Sequence, residues 1–335
     1  MTERPRTYNQ THAPRKYTPG RRRLSMYVAW SYPAEANRDV AVMDNRFSTL
    51  TEVRRAAWPA YEQLPYGSAL TFSQGIAGSL ELFFRAWLPF QASVHETTGH
   101  VMPVFQRVDH AGYRLPIDER VLGDTDTLIV FGLDHAVTAQ DIEKSEVEAL
   151  NEFLAQEGHC LLIGPHHDVG ASDDLKVRAM EFAHHGDPLV PRQQRFGRFT
   201  RGLIEGLKLP VEARYGLRPA TVAGTNKSVP LVIDRDADTK GWLNGVDSFN
   251  FHMHLPHYAT TPDAGARVLA KQPIDLARPH PFTEAGNREF NAFVWIPPSG
   301  KRAGDILFAD STVFSTLFGA DESLLRFWRN IATAK

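Results

Sequence analysis

The sequence predicts an α/β protein with a parallel β-sheet at its centre, and three consecutive stretches carry that prediction. "DTLIVFG" (126–132) is a near-continuous apolar run, the pattern of a strand covered on both faces. "HCLLIG" (159–164) repeats the pattern. Between them Val147, Leu150, Phe153 and Leu154 recur at helical spacing, with Thr138 as N-cap, Asp141 three residues on, a helix running to Gln156, and Gly158 as the stop. Strand, helix and strand in this order form a βαβ unit with a right-handed crossover.

The other elements follow in chain order. "LSMYVAW" (24–30) reads as the first strand. "STLTEVRRAAWPAYE" (48–62) reads as a helix capped by Ser48 or Thr49 and kinked or ended by Pro59. "GSLELFFRAWL" (78–88) is an apolar helix for the interior. Helices are expected at 173–184 and 198–207, and strands at 229–234 and 290–296. "DILFA" (305–309) is a strand that runs into "DST" and a closing helix at 321–333. The irregular stretches 31–47 and 235–289 are too long for plain connections, which makes them candidate lids or site walls. No linker composition divides the chain, so residues 24–335 are expected to form a single elaborated domain.

At 335 residues with 42% hydrophobic and 23% charged content, the profile is that of a globular domain, and no apolar run has the length of a membrane helix. Residues 1–23 hold seven Lys/Arg against one Glu, a basic arm that reads as a solvated, disordered tail. Nothing aromatic or repetitive in the body accompanies it, so no nucleic-acid partner and no membrane partner is expected. "RRRLSMYVAWSYPAEA" has the outline of an export signal, but its apolar part spans only Met26 to Trp30. The single cysteine, Cys160, excludes an intrachain disulfide and suits a reducing compartment, so the expected location is cytoplasmic. Trp58, Tyr61 and Tyr66 are either anchors of a homo-oligomer interface or core residues.

"DTLIVFGLDHAVTAQDIEKSEVEALNEFLAQEGHCLLIGPHH" resembles the central βαβ of the class I glutamine-amidotransferase-like superfamily, including its ThuA-like branch. "DILFADSTVFS" with "LLRFWRNI" resembles the terminal strand and helix of many of its members. The resemblance implies a doubly wound, mostly parallel, flavodoxin-like sheet with helices on both faces and a site at the carboxyl ends of the strands. It also implies a nucleophile elbow, Gly-x-Cys-x-Gly in the glutaminases. Here the elbow reads Gly164-Pro165-His166-His167-Asp168, with His166 at the cysteine position. Cys160 lies inside the preceding strand, and no Gly-x-Ser-x-Gly occurs, so neither cysteine-dependent glutaminase chemistry nor ordinary serine hydrolysis is expected.

Histidine takes the place of the missing nucleophile. His166, His167 and Asp168 at the elbow are candidate catalytic residues, although adjacent histidines on an extended chain point apart, so one of the pair is expected to reach the site. In "FNFHMHLPHY" (249–258), His252 and His254 share one strand face, Pro256 breaks the run, and His257 curls back as a candidate substrate contact. His252, His254 and Asp310 are candidate ligands for a divalent metal: zinc, iron or manganese. Each has an ordinary alternative, a core histidine bonded to backbone or, for "DST", a helix N-cap. His184 and His185 in "FAHHGDP" read as cations at a helix end. "SQGIAGS" (73–79) reads as an anion site at a helix start or as helix packing. After the first strand, Glu35, Asp44 and Arg46 are candidates for a polar substrate, with Glu35 and Arg46 the chosen binding pair, or serve to tie their own loop together.

Two functions are consistent with these readings. One is a hydrolase, metal-assisted or using a histidine base, acting on a small polar substrate; the resemblance adds a preference for a C–N bond. The other is a non-catalytic, degenerate amidotransferase-like domain that binds a small ligand or a partner subunit.

Overall fold

The computed structural model describes residues 21–31, 34, 69–109, 111–168, 170, 172–185, 196–250 and 254–333. The apolar runs form the centre of an eight-stranded sheet of order β2-β1-β3-β4-β10-β9-β8-β6. β1 (Leu24–Val28), β3 (Thr127–Gly132), β4 (Cys160–Pro165) and β10 (Asp305–Phe308) are buried at every residue. Together with β2 (Val104–Gln106) they run parallel. β9 (Glu289–Ile296) is antiparallel to β10, and β8 (Arg267–Pro273) and the two-residue edge strand β6 (Val232–Ile233) continue the antiparallel side. β5 (Val211–Leu217) and β7 (Leu255–Thr260) pair separately as a two-stranded ribbon.

Alternating side chains send the central strands into two cores. Met26, Val28, Ile129, Phe131 and Leu162 pack with Trp87 and Phe90 of α1 (Ala69–Thr98) and with Phe327 and Trp328 of α7 (Glu322–Thr333). Tyr27, Leu128, Val130, Leu161 and Ile163 pack on the other face with Val121 of α2 (Glu119–Leu122), with Leu150 and Phe153 of α3 (Lys144–Leu154) and with Phe199 and Leu203 of α5 (Arg198–Gly206). Helices on both faces of a mostly parallel sheet make this the expected doubly wound, flavodoxin-like α/β fold. Among the described residues no helix is long and apolar enough to cross a membrane.

Several expectations are corrected. The helix expected at 78–88 runs from 69 to 98 and continues through Pro89; "SQGIAGS" is interior helix, where the backbone N–H groups are already bonded. α3 begins at Lys144 rather than after Thr138, because Ala136–Thr138 is a 3-10 turn and the Glu146 carboxylate accepts the Glu143 N–H. The stretch 235–289, read as irregular, holds β7, β8 and α6 (Pro281–Glu284). Pro256 does not break the run, since it sits within β7 opposite Gly216. Arg22 and Arg23, counted with the basic arm, belong to the fold. Arg22 donates to the Gly158 carbonyl (2.6 Å) and the Thr127 hydroxyl (3.0 Å), and Arg23 holds the Asp126 carboxylate at 2.6 Å. Residues 1–20, the 48–62 helix and the aromatic positions Trp58, Tyr61 and Tyr66 lie outside the described residues.

One ion pair crosses between these layers. Arg107 follows β2 and is wholly buried; it grips both Glu146 carboxylate oxygens, at 2.6 and 2.9 Å. The same guanidinium donates to Tyr27 Oη (2.9 Å) and the Asp141 carbonyl (2.7 Å), and lies 3.9 Å over the Phe199 ring. Glu146 also accepts the Ile117 N–H. Removing one partner of such a pair leaves an uncompensated buried charge. Arg107→Met is expected to cost about 3–5 kcal/mol in urea unfolding, and adding Glu146→Leu to recover part of that loss.

Two further histidines fasten the ribbon side. His184, in α4 (Leu175–His185), accepts the Arg218 N–H at Nε2 (2.9 Å), so its Nδ1 carries the proton donated to the Arg278 carbonyl (2.7 Å). His280 caps α6, its Nδ1 accepting the Phe282 N–H at 3.0 Å. Burial, with His184 nearby, lowers the His280 pKa to about 3. The unfolded imidazole titrates near 6.5, so between these values the unfolded chain binds the extra proton, and stability falls as pH drops through this window. The urea midpoint is expected to fall from pH 7 to pH 5. His280→Asn, which keeps an N-cap acceptor without the titration, is expected to have a shallower slope.

Candidate functional site

β4 and β10 are neighbours in register, Ile163 beside Phe308, so the chain segments leaving them emerge side by side at the carboxyl edge of the sheet. His166 and His167 follow the first strand and Asp310 follows the second. Gly164 permits this closeness, since a methyl group there would lie 2.9 Å from the Ala309 carbonyl and 2.8 Å from the Phe131 ring. His254 arrives from elsewhere, immediately before β7.

Three imidazoles converge there. His166, His167 and His254 each offer a ring nitrogen, and these nitrogens all lie within 4.8 Å of one another. The ring centroids are 4.1 Å apart for His166 and His167, 4.3 Å for His167 and His254, and 6.1 Å for His166 and His254. The expectation that only one elbow histidine would reach the site is corrected. β4 ends at Pro165, so the alternation of a strand no longer governs residues 166 and 167, and both rings enter the same space. Phe196 closes one side edge-on, 5.1 Å from the His166 ring.

The electrostatics act differently on His167 and on Asp310. Burial pushes the His167 pKa well below its ordinary value, and the neighbouring His166 and His254 push it further. Burial alone would raise Asp310, but His166 and the donors of Thr312 hold it below the usual carboxylate range. Asp310 Oδ1 accepts the Thr312 N–H (2.8 Å) and hydroxyl, while Oδ2 stands 3.8 Å from His166 Nδ1. It is therefore both the cap of the Ser311–Phe314 turn and the carboxylate behind His166. A histidine backed by a carboxylate on its far nitrogen is a frequent setting for a metal ligand.

Asp168 and His257 have other partners. Asp168 accepts the Phe196 N–H (3.1 Å) and pairs with Arg201 (3.2 Å), pinning the chain that leaves the elbow. His257 stays in β7, where it accepts the Asn291 N–H and packs on Tyr215 and Phe282; it does not curl back towards His254. Burial and Arg214 lower its pKa to about 4. Cys160 is buried in β4 with its thiol pushed up to about 12 by burial, the opposite of an activated nucleophile. His252, Glu35, Asp44 and Arg46 lie outside the described residues.

His185 is the residue that sequence reasoning assigned differently. Its ring stacks on His254 at 3.9 Å and 26°, and its Nε2 is 3.2 Å from His167 Nε2. Burial, with His166 and His184 close by, lowers its pKa to about 3, so it is a neutral neighbour of the triad rather than a cation on a helix end. The signal was the His-His pair itself, read for its helix and not for what the helix end faces.

No family model matches the chain, and no curated protein matches it. Among solved structures, a chain described as "mmIFT52 N-terminal domain" superposes with a TM-score of 0.42 at 10% identity, covering 71% of this chain and 85% of that one. At that score the likeness carries no functional argument.

Proposed function

We propose that His166, His167 and His254 bind a divalent metal ion, and that the protein is a hydrolase in which the ion activates water against a small polar substrate. The observation behind this reading is the convergence of three imidazole nitrogens at the carboxyl edge of a doubly wound sheet. Three neutral imidazoles leave an open position on a four-coordinate ion, the arrangement of catalytic rather than structural sites. Imidazole donors suit zinc or iron better than manganese, which prefers oxygen ligands. Burial helps, because a histidine must be neutral to coordinate. Asp310 would orient His166 and raise the basicity of its ring. The choice of a C–N bond rests on the resemblance of the βαβ stretch to the amidotransferase-like superfamily.

Elemental analysis of the purified, untagged protein by inductively coupled plasma mass spectrometry tests this reading. Zinc or iron near one per chain is expected, lost on chelation and lost in His254→Ala with the fold retained by circular dichroism. A metal-free wild type that takes up neither ion would overturn the proposal and favour a ligand-binding pocket instead. Asp310→Asn is expected to keep the site but weaken the metal by about 10–100-fold, measured by competition with a chromophoric chelator.

A further inference from the structure

One close approach in the cluster lies outside the three proposed ligands. It is the 3.2 Å separation of His167 Nε2 and His185 Nε2. Two imidazole nitrogens facing each other at that distance need one proton between them, and which ring supplies it decides what the other end of His167 can do. His167 Nδ1 is buried and has no hydrogen-bond partner among the described residues. If His185 were the donor, a neutral His167 would carry its own proton on Nδ1, leaving a buried N–H unmatched. If His167 is the donor, Nδ1 holds a bare lone pair, which is what a metal ion takes.

We infer that His185 is a positioning residue: it accepts the Nε2 proton of His167 and so presents the Nδ1 lone pair of that ring to the metal, while its stacked face holds His254. This rests on the metal reading above. The same edge of His167 is confined by backbone. A methyl group on Gly216 would lie 2.7 Å from His167 Nε2 and would overlap Cδ2, so only glycine lets the ring sit there. Gly216 stands where the pairing of β5 with β7 shifts register, and its N–H reaches back to the Asp168 carbonyl. An irregular strand next to a site commonly serves to aim a side chain. Here the shift brings bare backbone against the imidazole edge that His185 also grips.

Zinc and cobalt affinities of the full-length protein test the assignment, read by competition with a chromophoric chelator and by the visible absorption of bound cobalt. His185→Phe keeps a flat ring against His254 but removes the acceptor; it is expected to bind zinc about 10–100-fold more weakly. His185→Gln restores an acceptor and is expected to recover most of that loss. The intensity of the cobalt band is expected to be unchanged in both, because His185 is not itself a ligand. Gly216→Ala, which changes no histidine but crowds the His167 ring, is expected to weaken zinc by a similar factor. Three results would overturn the inference: wild-type affinity in His185→Phe, equal loss in the Phe and Gln variants, or a cobalt band whose intensity changes when residue 185 changes. Wild-type protein that binds neither ion defeats the metal reading itself. Tight wild-type binding that is indifferent to residue 185 defeats the inference alone.

Discussion

The guanidinium of Arg107 has no access to water, and four parts of the fold meet to hold it, its Nε alone lacking a hydrogen-bond partner among the described residues. It draws Tyr27 of β1, the Asp141 carbonyl, Glu146 at the start of α3 and the Phe199 ring of α5 to one point. The usual desolvation penalty of such a charge is several kcal/mol, offset here by the two-oxygen pairing with Glu146 and the further hydrogen bonds. These contacts bind the chain after β2 to the start of α3 and tie α5 to the sheet. The placement of α5 matters for the site. Arg201 on this helix meets Asp168, and Phe196, just before it, walls off His166. A polar knot in one core thus supports the histidines at the edge of the sheet.

The candidate site divides into a part built by the sheet and a part brought to it. His166, His167 and Asp310 stand on the ends of adjacent parallel strands, where small displacements are resisted by a buried sheet. His254 and His185 come from the ribbon side and from the end of α4. The anchors of that side include neutral imidazoles: His184 and His280 each spend a ring nitrogen as an acceptor for a backbone N–H. Histidine therefore plays two roles in one region. In one group a nitrogen lone pair faces a backbone donor, and in the other ring nitrogens face one another across a small gap.

The parallel centre of the fold was legible because its strands are covered on both faces and read as unbroken apolar runs, from "LSMYV" to "DILF". On the antiparallel side the strands expected at 290–296 and 229–234 correspond to β9 and to the short β6, whereas β8, and β7 of the ribbon, were not read as strands. β8 is only partly buried, β7 contains a proline and two polar residues, and neither shows a clean period. Convergence of the elbow with Asp310 followed from strand order alone, which is why it was readable. His254 was marked by its spacing from His252, whereas His185 was not marked for the site at all, because its neighbours there are 18 and 69 residues away in the chain. No local pattern records a meeting of that kind.

The position of β10 has a consequence for the order in which the protein can assemble. Among the described residues it is the last strand in sequence order, yet it lies in the interior of the sheet, between β4 and β9. Until residue 308 has been synthesised, β4 presents an open edge made of "CLLIGP", every residue of which is buried in the finished fold. An apolar edge with unpaired backbone groups is a template for pairing with another chain. On a ribosome the N-terminal half must therefore wait, with that edge bare, for its final strand, and Asp310 and the closing helix arrive only then. The carboxyl edge that carries the histidines is completed last. A truncated or stalled chain would lack the site and also carry the exposed strand most prone to aggregate.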